Sequence, residues 1–293
     1  MRIALFAAGP KGANFLRNFR GDEFVDLVVS YAGQGLQYDA HAEIQSICQM
    51  KEYKLVGREN VRPEDYAFAD LVLVIGWQWM LKDFDQRFLI FHDSLLPKLR
   101  GFNPTVTALI VGETEIGVTA FAPIGGDAPV ADFGPIWGQE RIAIEYPITI
   151  GNAYERLGLA YCRLADRVLH AASLGSLTFS QQDQKNATYS LWRNEDDYQI
   201  DWALSAVQIR RFVDAVGWPY MGAKSALQGR EIRIDHVEIC RDLAIVNRSP
   251  GKIWSLAGGV PEVVCGTGML RIVQAREVNG DSVIFKSLRT RLK

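Results

Sequence analysis

His92 stands where an apolar run, Phe88-Leu89-Ile90-Phe91, gives way to the loop Asp93-Ser94-Leu95-Leu96-Pro97-Lys98-Leu99-Arg100-Gly101. In open α/β sheets ligands gather at the carboxyl ends of the strands, so an imidazole at such an end faces a crevice and is placed to move a proton. The competing reading is a structural histidine held by hydrogen bonds. Only His41, His170 and His236 offer other imidazoles. A second candidate is Gly9-Pro10-Lys11-Gly12, between a strand and a helix, where backbone amides and Lys11 suit a substrate phosphate. The alternative for Lys11 is a solvated loop side chain. This segment lacks both the dinucleotide fingerprint and the Walker pattern, so a nucleotide cofactor is not expected. Cys48, Cys162, Cys240 and Cys265 show no Cys-x-x-Cys spacing, and His, Cys, Asp and Glu do not cluster at ligand spacing, so no metal site or disulfide framework is expected.

The loop resembles the signature of the formyltransferases that use 10-formyltetrahydrofolate: a histidine, Ser-Leu-Leu-Pro at Ser94 to Pro97, two variable residues, then Arg100-Gly101. The similarity continues through Asn103-Pro104, the helix Thr105 to Val111 and Gly112 to Thr119, and then Asp132-Phe133-Gly134-Pro135-Ile136 is like the family's Asp-x-Gly-x-Ile segment. The resemblance implies that Asp132 is the carboxylate partner of His92, and that His92 acts as base or polarising group. It also implies a pterin pocket lined by Trp77, Gln78 and Met80, for which ordinary core aromatics are the alternative. Ser94, Leu96 and Pro97 would present apolar surface to the folate, and Asp127 is an alternative polar contact. Lys11, Arg100 and Asn103 are the candidates to meet the acceptor, with Arg100 also suited to shaping the loop.

The chain departs from the family at one position. An asparagine normally stands two residues before the histidine, and here that residue is Ile90. Its amide would steady the oxyanion of the tetrahedral intermediate, and losing such a donor costs about 10²–10³ in rate. Gln78, Asn103, a backbone N–H or a bound water are the substitutes to consider. Asp93, also unusual here, reads as a loop-capping carboxylate.

The elements that position these residues follow from hydrophobic patterning. Strands are expected at Ile3–Ala8, Val25–Tyr31, Asp70–Ile75, Leu89–His92 and Val118–Phe121, with helices over 12–19, 105–111 and 152–172, giving a doubly wound parallel α/β sheet of Rossmann-like type. Residues 1–178 form the expected catalytic domain and 179–204 a linker with the start of a connecting helix. Residues 205–293 form a small OB-like β-barrel, with a helix from Asp201 to about Val216 and strands at Ile232–Glu238, Leu243–Val246, Lys252–Leu256, Pro261–Cys265, Leu270–Ala275 and Val283–Leu288. This half resembles, more diffusely, the C-terminal domain of methionyl-tRNA formyltransferase.

At 293 residues and 48% hydrophobic content the chain suits two globular domains. No apolar run approaches the ~18 residues needed to span a bilayer, and a strand begins at once, so a cytoplasmic protein without membrane association is expected. Residues 205–293 hold 14 Lys/Arg against 8 Asp/Glu, a local +6 that leaves −8 for residues 1–204 from the net −2. The segment 32–43 contains neither Lys nor Arg, where the tRNA enzymes carry a basic insertion. An acidic catalytic half is a poor surface for a tRNA acceptor stem. The expected activity is therefore formyl transfer to the amine of a nucleotide-linked amino sugar, with methionyl-tRNA as the alternative acceptor and a non-catalytic folate- or sugar-nucleotide-binding relic as the reading that Ile90 keeps open. A homodimer is possible.

Overall fold

A computed structural model describes residues 1–81, 84–125 and 132–293. Asp127, the alternative pterin contact, lies outside these described residues. The chain divides into two compact units, Met1–Thr105 with Thr114–Ile144 and Asn152–Trp192, and Val106–Glu113 with Glu145–Gly151 and Arg193–Lys293.

The first unit is built on a seven-stranded sheet. Its strands are β1 (Ile3–Ala7), β2 (Val25–Ser30), β3 (Lys54–Gly57), β4 (Leu71–Ile75), β5 (Phe88–His92), β7 (Glu115–Phe121) and β8 (Ile136–Ala143), in the order β3-β2-β1-β4-β5-β7-β8. The five from β3 to β5 run parallel, whereas β7 and β8 are each antiparallel to their neighbours. The sheet is thus mixed rather than wholly parallel. Both faces of β1 and β4 are buried, which is why Ile-Ala-Leu-Phe-Ala and Leu-Val-Leu-Val-Ile read as unbroken apolar runs. Phe6, Tyr66, Val72, Val74 and Phe88 form part of a core cluster against the sheet, each such side chain contributing about 1.5–3 kcal/mol by leaving water.

Helix α1 (Gly9–Asn18) starts three residues earlier than expected because Pro10 occupies its first turn at no cost in hydrogen bonds, so Lys11 is helical and not part of a loop. Helices α2 (His41–Met50), α3 (Pro104–Val111) and α4 (Ile150–Ser173) follow. The segment expected to be a linker is fastened to the first unit. Ser180 pairs with Ile136, and β9 (Tyr189–Ser190) pairs in parallel with β6 (Arg100–Gly101) inside the histidine loop.

In the second unit, Ser205 rather than Asp201 caps α5 (Ala206–Val216): its Oγ accepts from the Gln208 N–H at 3.3 Å while Gln208 Oε1 accepts from the Ser205 N–H at 3.1 Å. A five-stranded antiparallel sheet has the order β10-β11-β14-β13-β12, from β10 (Ala223–Leu227), β11 (Arg230–Cys240), β12 (Ile253–Ser255), β13 (Glu262–Val264) and β14 (Met269–Glu277). Leu243–Val246 and Val283–Leu288 are not strands, and β10 was not expected. Residues 291–293 meet both edges of this sheet: Leu292 bridges Leu227, Arg291 bridges Lys252, and Lys293 exchanges two backbone bonds with Ala226 at 2.7 and 3.2 Å. No helix among the described residues is long and apolar enough to cross a membrane.

Candidate active site

His92 is the last residue of β5 and is buried. Its Nε2 donates to the Leu99 carbonyl at 3.0 Å, and its Nδ1 lies 3.5 Å from Asp132 Oδ2. Both ring nitrogens therefore face oxygen atoms of the protein. Asp132 is held at φ 59°, and its Oδ2 also accepts the Gly101 N–H at 2.8 Å. One carboxylate oxygen thus joins the histidine to the loop that follows it.

The path of that loop is set by polar contacts. Thr119, directly opposite His92 on β7, donates to the Ser94 carbonyl at 2.6 Å and accepts from the Leu96 N–H at 3.0 Å. Gln139 donates to the Leu96 carbonyl at 2.8 Å, and Ser94 Oγ to that of Lys98 at 2.6 Å. Thr188 receives the Leu99 N–H on Oγ1 at 2.8 Å, which holds Leu99 in a left-handed conformation with φ 55°. Gly101, at φ 98°, passes so close to β9 that a Cβ there would stand 2.6 Å from the Ser190 carbonyl oxygen.

Arg100, a candidate to meet the acceptor, is only 1% exposed and points inward. Its Nε and Nη2 donate to Gln182 Oε1 at 3.0 and 2.6 Å, and its Nη1 to Gln184 at 2.9 Å. Gln182 in turn donates to the carbonyls of Asp132 and Gly134 at 2.8 and 2.7 Å. Arg100 therefore braces the histidine loop and the Asp132 turn from within, and each of its three nitrogens donates to a glutamine oxygen, which offsets the cost of its burial.

Lys11 donates to Asp93 Oδ1 at 2.9 Å and lies 5.4 Å from the Tyr154 ring centre. Asp93 also accepts the Thr105 hydroxyl at 2.6 Å. Burial by itself would push the Asp93 carboxyl up, but Lys11, His92 and the Thr105 hydrogen bond outweigh it and hold the group down at about 2. Among the described residues the Asp93 carboxylate is bonded to Lys11 and Thr105 and not to a loop amide; it is a buried charge adjoining the histidine. Asn103 sits at φ 48° immediately before α3.

Leu96 is buried and Pro97 half-buried. Trp77 is half-buried, edge-on to Phe6 at 5.2 Å and to Tyr31 at 5.0 Å, whereas Gln78 and Met80 are exposed. Gly76, at φ 65°, brings this segment against the Ala8 carbonyl, where no side chain fits. The sequence reading missed the Leu99 carbonyl, Thr119, Gln139, Gln182 and Thr188. Gln182 and Thr188 lie in an aperiodic polar stretch, which carries no signal of what it touches. No group of three or more His, Cys, Asp or Glu among the described residues is arranged to hold a metal ion.

A mixed sheet with a histidine at the carboxyl end of one parallel strand, and a carboxylate 3.5 Å from it, defines the class of α/β proteins whose sites open at the strand ends. Family models place it further: "Formyl transferase" matches residues 35–161 and "Formyl transferase, C-terminal domain" matches residues 193–288. The chain belongs to the formyl transferase family, whose enzymes move formyl groups.

Solved structures share the fold at low identity. HypX from Aquifex aeolicus in complex with tetrahydrofolic acid is 16% identical, with a TM-score of 0.61, over 99% of this chain and 46% of that one. The present chain thus spans about half the length of HypX. WlaRD, a sugar 3N-formyl transferase crystallised in the presence of dTDP and 5-N-formyl-THF, is 14% identical with a TM-score of 0.63, over 95% of this chain and 98% of that one. The N-formyltransferase from Helicobacter canadensis, in complex with folinic acid and dTDP-3-aminofucose, is 13% identical with a TM-score of 0.64, over 93% and 98%.

Proposed function

We propose that this chain transfers a formyl group from 10-formyltetrahydrofolate to the amine of a nucleotide-linked amino sugar. The observation that carries the proposal is the 3.5 Å approach of His92 Nδ1 and Asp132 Oδ2 at the carboxyl end of β5. The amine attacks the formyl carbon, the N10–C bond breaks, the attacking nitrogen loses a proton and N10 gains one. His92 is the group placed to relay that proton, with Nε2 exchanging the Leu99 carbonyl for the substrate, and Asp132 steadies the ring as it charges. Trp77, Gln78 and Met80, with Ser94, Leu96 and Pro97, form the pterin side of the site, and Lys11 and Asn103 stand towards the acceptor. WlaRD with dTDP and a formyl folate, and the Helicobacter canadensis enzyme with an amino sugar nucleotide, support this choice of acceptor. The −8 balance of residues 1–204 supports it over tRNA.

Ile90 favours a second reading, a relic that binds without turnover. It occupies the position of the usual amide and packs against the apolar cluster around Phe6 and Phe88. Incubation with 10-formyltetrahydrofolate and a panel of dTDP- and UDP-amino sugars, with His92→Ala as control, separates the two. Formylated product lost in His92→Ala supports the enzyme. Ligand binding without product supports the relic, and restored turnover in Ile90→Asn would identify the missing donor as the cause.

A further inference from the structure

The stretch Val283–Leu288 has the residue pattern of a strand, yet the fold gives it no strand to pair with. Its side chains alternate as those of a pleated strand do: Ile284 is 72% exposed and Leu288 53%, with exposed Lys286 between them, whereas Phe285 is buried and Ser287 half-buried. None of these residues has a positive φ. At one end the Val283 N–H donates to the Ala275 carbonyl at 3.0 Å, and bonding resumes where the Thr290 carbonyl accepts the Ile253 N–H at 3.1 Å. Between those points, among the described residues, the backbone groups of residues 284–288 make no hydrogen bond. A row of unpaired N–H and C=O groups is a template for another strand, and native chains ordinarily cover or shorten it.

A cavity lies beside this edge. It measures about 730 Å³, belongs to the second unit, and is walled in part by the buried side chains of Leu227, Ile253 and Phe285. The acids at its rim are engaged: Glu277 pairs with Arg230 at 3.1 Å, Glu231 with Lys224 at 3.1 Å, and Asp281 accepts the Asn279 amide at 2.8 Å. An open backbone edge next to such a pocket suits strand addition, in which main-chain bonds give affinity and the pocket takes an alternate side chain.

Charge selects the occupant. Residues 283–293 carry Lys286, Arg289, Arg291 and Lys293 and neither Asp nor Glu. Among the described residues none of these four side chains has an ion pair. A second copy of the segment laid antiparallel about Lys286 would set like charges opposite one another, which weakens a pair of strands. An acidic strand sets opposite charges there.

We propose that Ile284–Leu288 is a docking edge for an extended acidic peptide of another protein. The peptide adds as a strand, its carboxylates against Lys286 and Arg289 and one apolar side chain in the cavity. This surface lies in the second unit, and its occupancy does not depend on formyl transfer by the first.

Selection of a phage-displayed random dodecapeptide library on the full chain, followed by fluorescence polarisation of the enriched peptides in labelled synthetic form, tests the edge. The enriched sequences are expected to alternate apolar residues with Asp or Glu. Their Kd is expected to rise about tenfold or more in the double variant Lys286→Glu, Arg289→Glu. Both side chains are exposed, and far-UV circular dichroism checks that the variant folds. Methylating the peptide amides one at a time reads the main chain, since a strand loses binding at every second amide and keeps it at those between. Failure to enrich any acidic sequence, equal binding to the charge-reversed variant, or losses without alternation overturns the docking edge. Polyuridylate bound by the wild type and lost in the double variant, with no acidic peptide enriched, would give these cations to a nucleic acid and overturn it too.

Discussion

At His92, oxygen atoms beside both ring nitrogens tie the imidazole to the loop it opens, and one oxygen of Asp132 serves both the ring and the Gly101 N–H. Asp132→Asn retains an oxygen for the Gly101 N–H but withdraws the charge facing Nδ1. Under the proposed activity, kcat is expected to fall by about 10²–10⁴ while KM for the folate changes little, measured by steady-state kinetics. Asp93 plays a different part. Its carboxyl is held at about 2, below the usual carboxylate range, so the stability it contributes is present above pH ~4 and is lost as the pH falls through 2. Asp93→Asn would strand the Lys11 ammonium and is expected to cost about 2–4 kcal/mol at pH 7, with a flatter stability profile between pH 4 and 2 in urea unfolding. The approach of His92 and Asp132 could be read in advance because each lies in a short segment of recognisable pattern, residues 92–101 and 132–136. The Lys11–Asp93 pair could not, since 82 residues separate the partners and neither position is marked by periodicity.

Among the elements, those with continuous apolar runs were legible: β1, β4 and β5 emerge within a residue or so of expectation. β8 escaped notice because Ile136–Ala143 lines no deep core on either face and interleaves Gln, Glu and Arg with its apolar residues. Two of the expected C-terminal strands failed for the opposite reason, since short apolar stretches such as Leu243–Val246 can equally well lie in turns. Helix α5 carries a liability. Burial pushes the Asp214 carboxyl up to about 6 against the pull of Arg210 and His236, and its Oδ2 has no hydrogen bond, the Arg210 Nε standing 3.8 Å away. A raised carboxyl favours folding at low pH and loses that contribution as the pH rises through 6. Asp214→Asn is therefore expected to stabilise the protein by roughly 1–2 kcal/mol at pH 8 and by almost nothing at pH 4, read from urea midpoints at the two values.

Over the whole molecule, the change of pattern falls near residue 200, and the chain divides into two compact units. The polar, aperiodic stretch after α4 has the composition of a tether, whereas the compact units divide at Trp192. Composition reports how much apolar surface a segment can bury and says nothing of a glutamine that receives a buried arginine. Replacing residues 179–190 by Gly and Ser of equal length is expected to leave the far-UV circular dichroism near native and to lower the proposed activity at least as far as Asp132→Asn does, because Gln182 and β9 brace the turn and the loop that carry Asp132 and His92. The same bracing constrains protein engineering. A hybrid enzyme made by splicing on a foreign C-terminal module inherits an intact histidine loop when the junction falls after Trp192. A seam at residue 178, where composition invites the cut, removes Gln182 and Gln184, the acceptors that hold Arg100, together with the native C-terminal part.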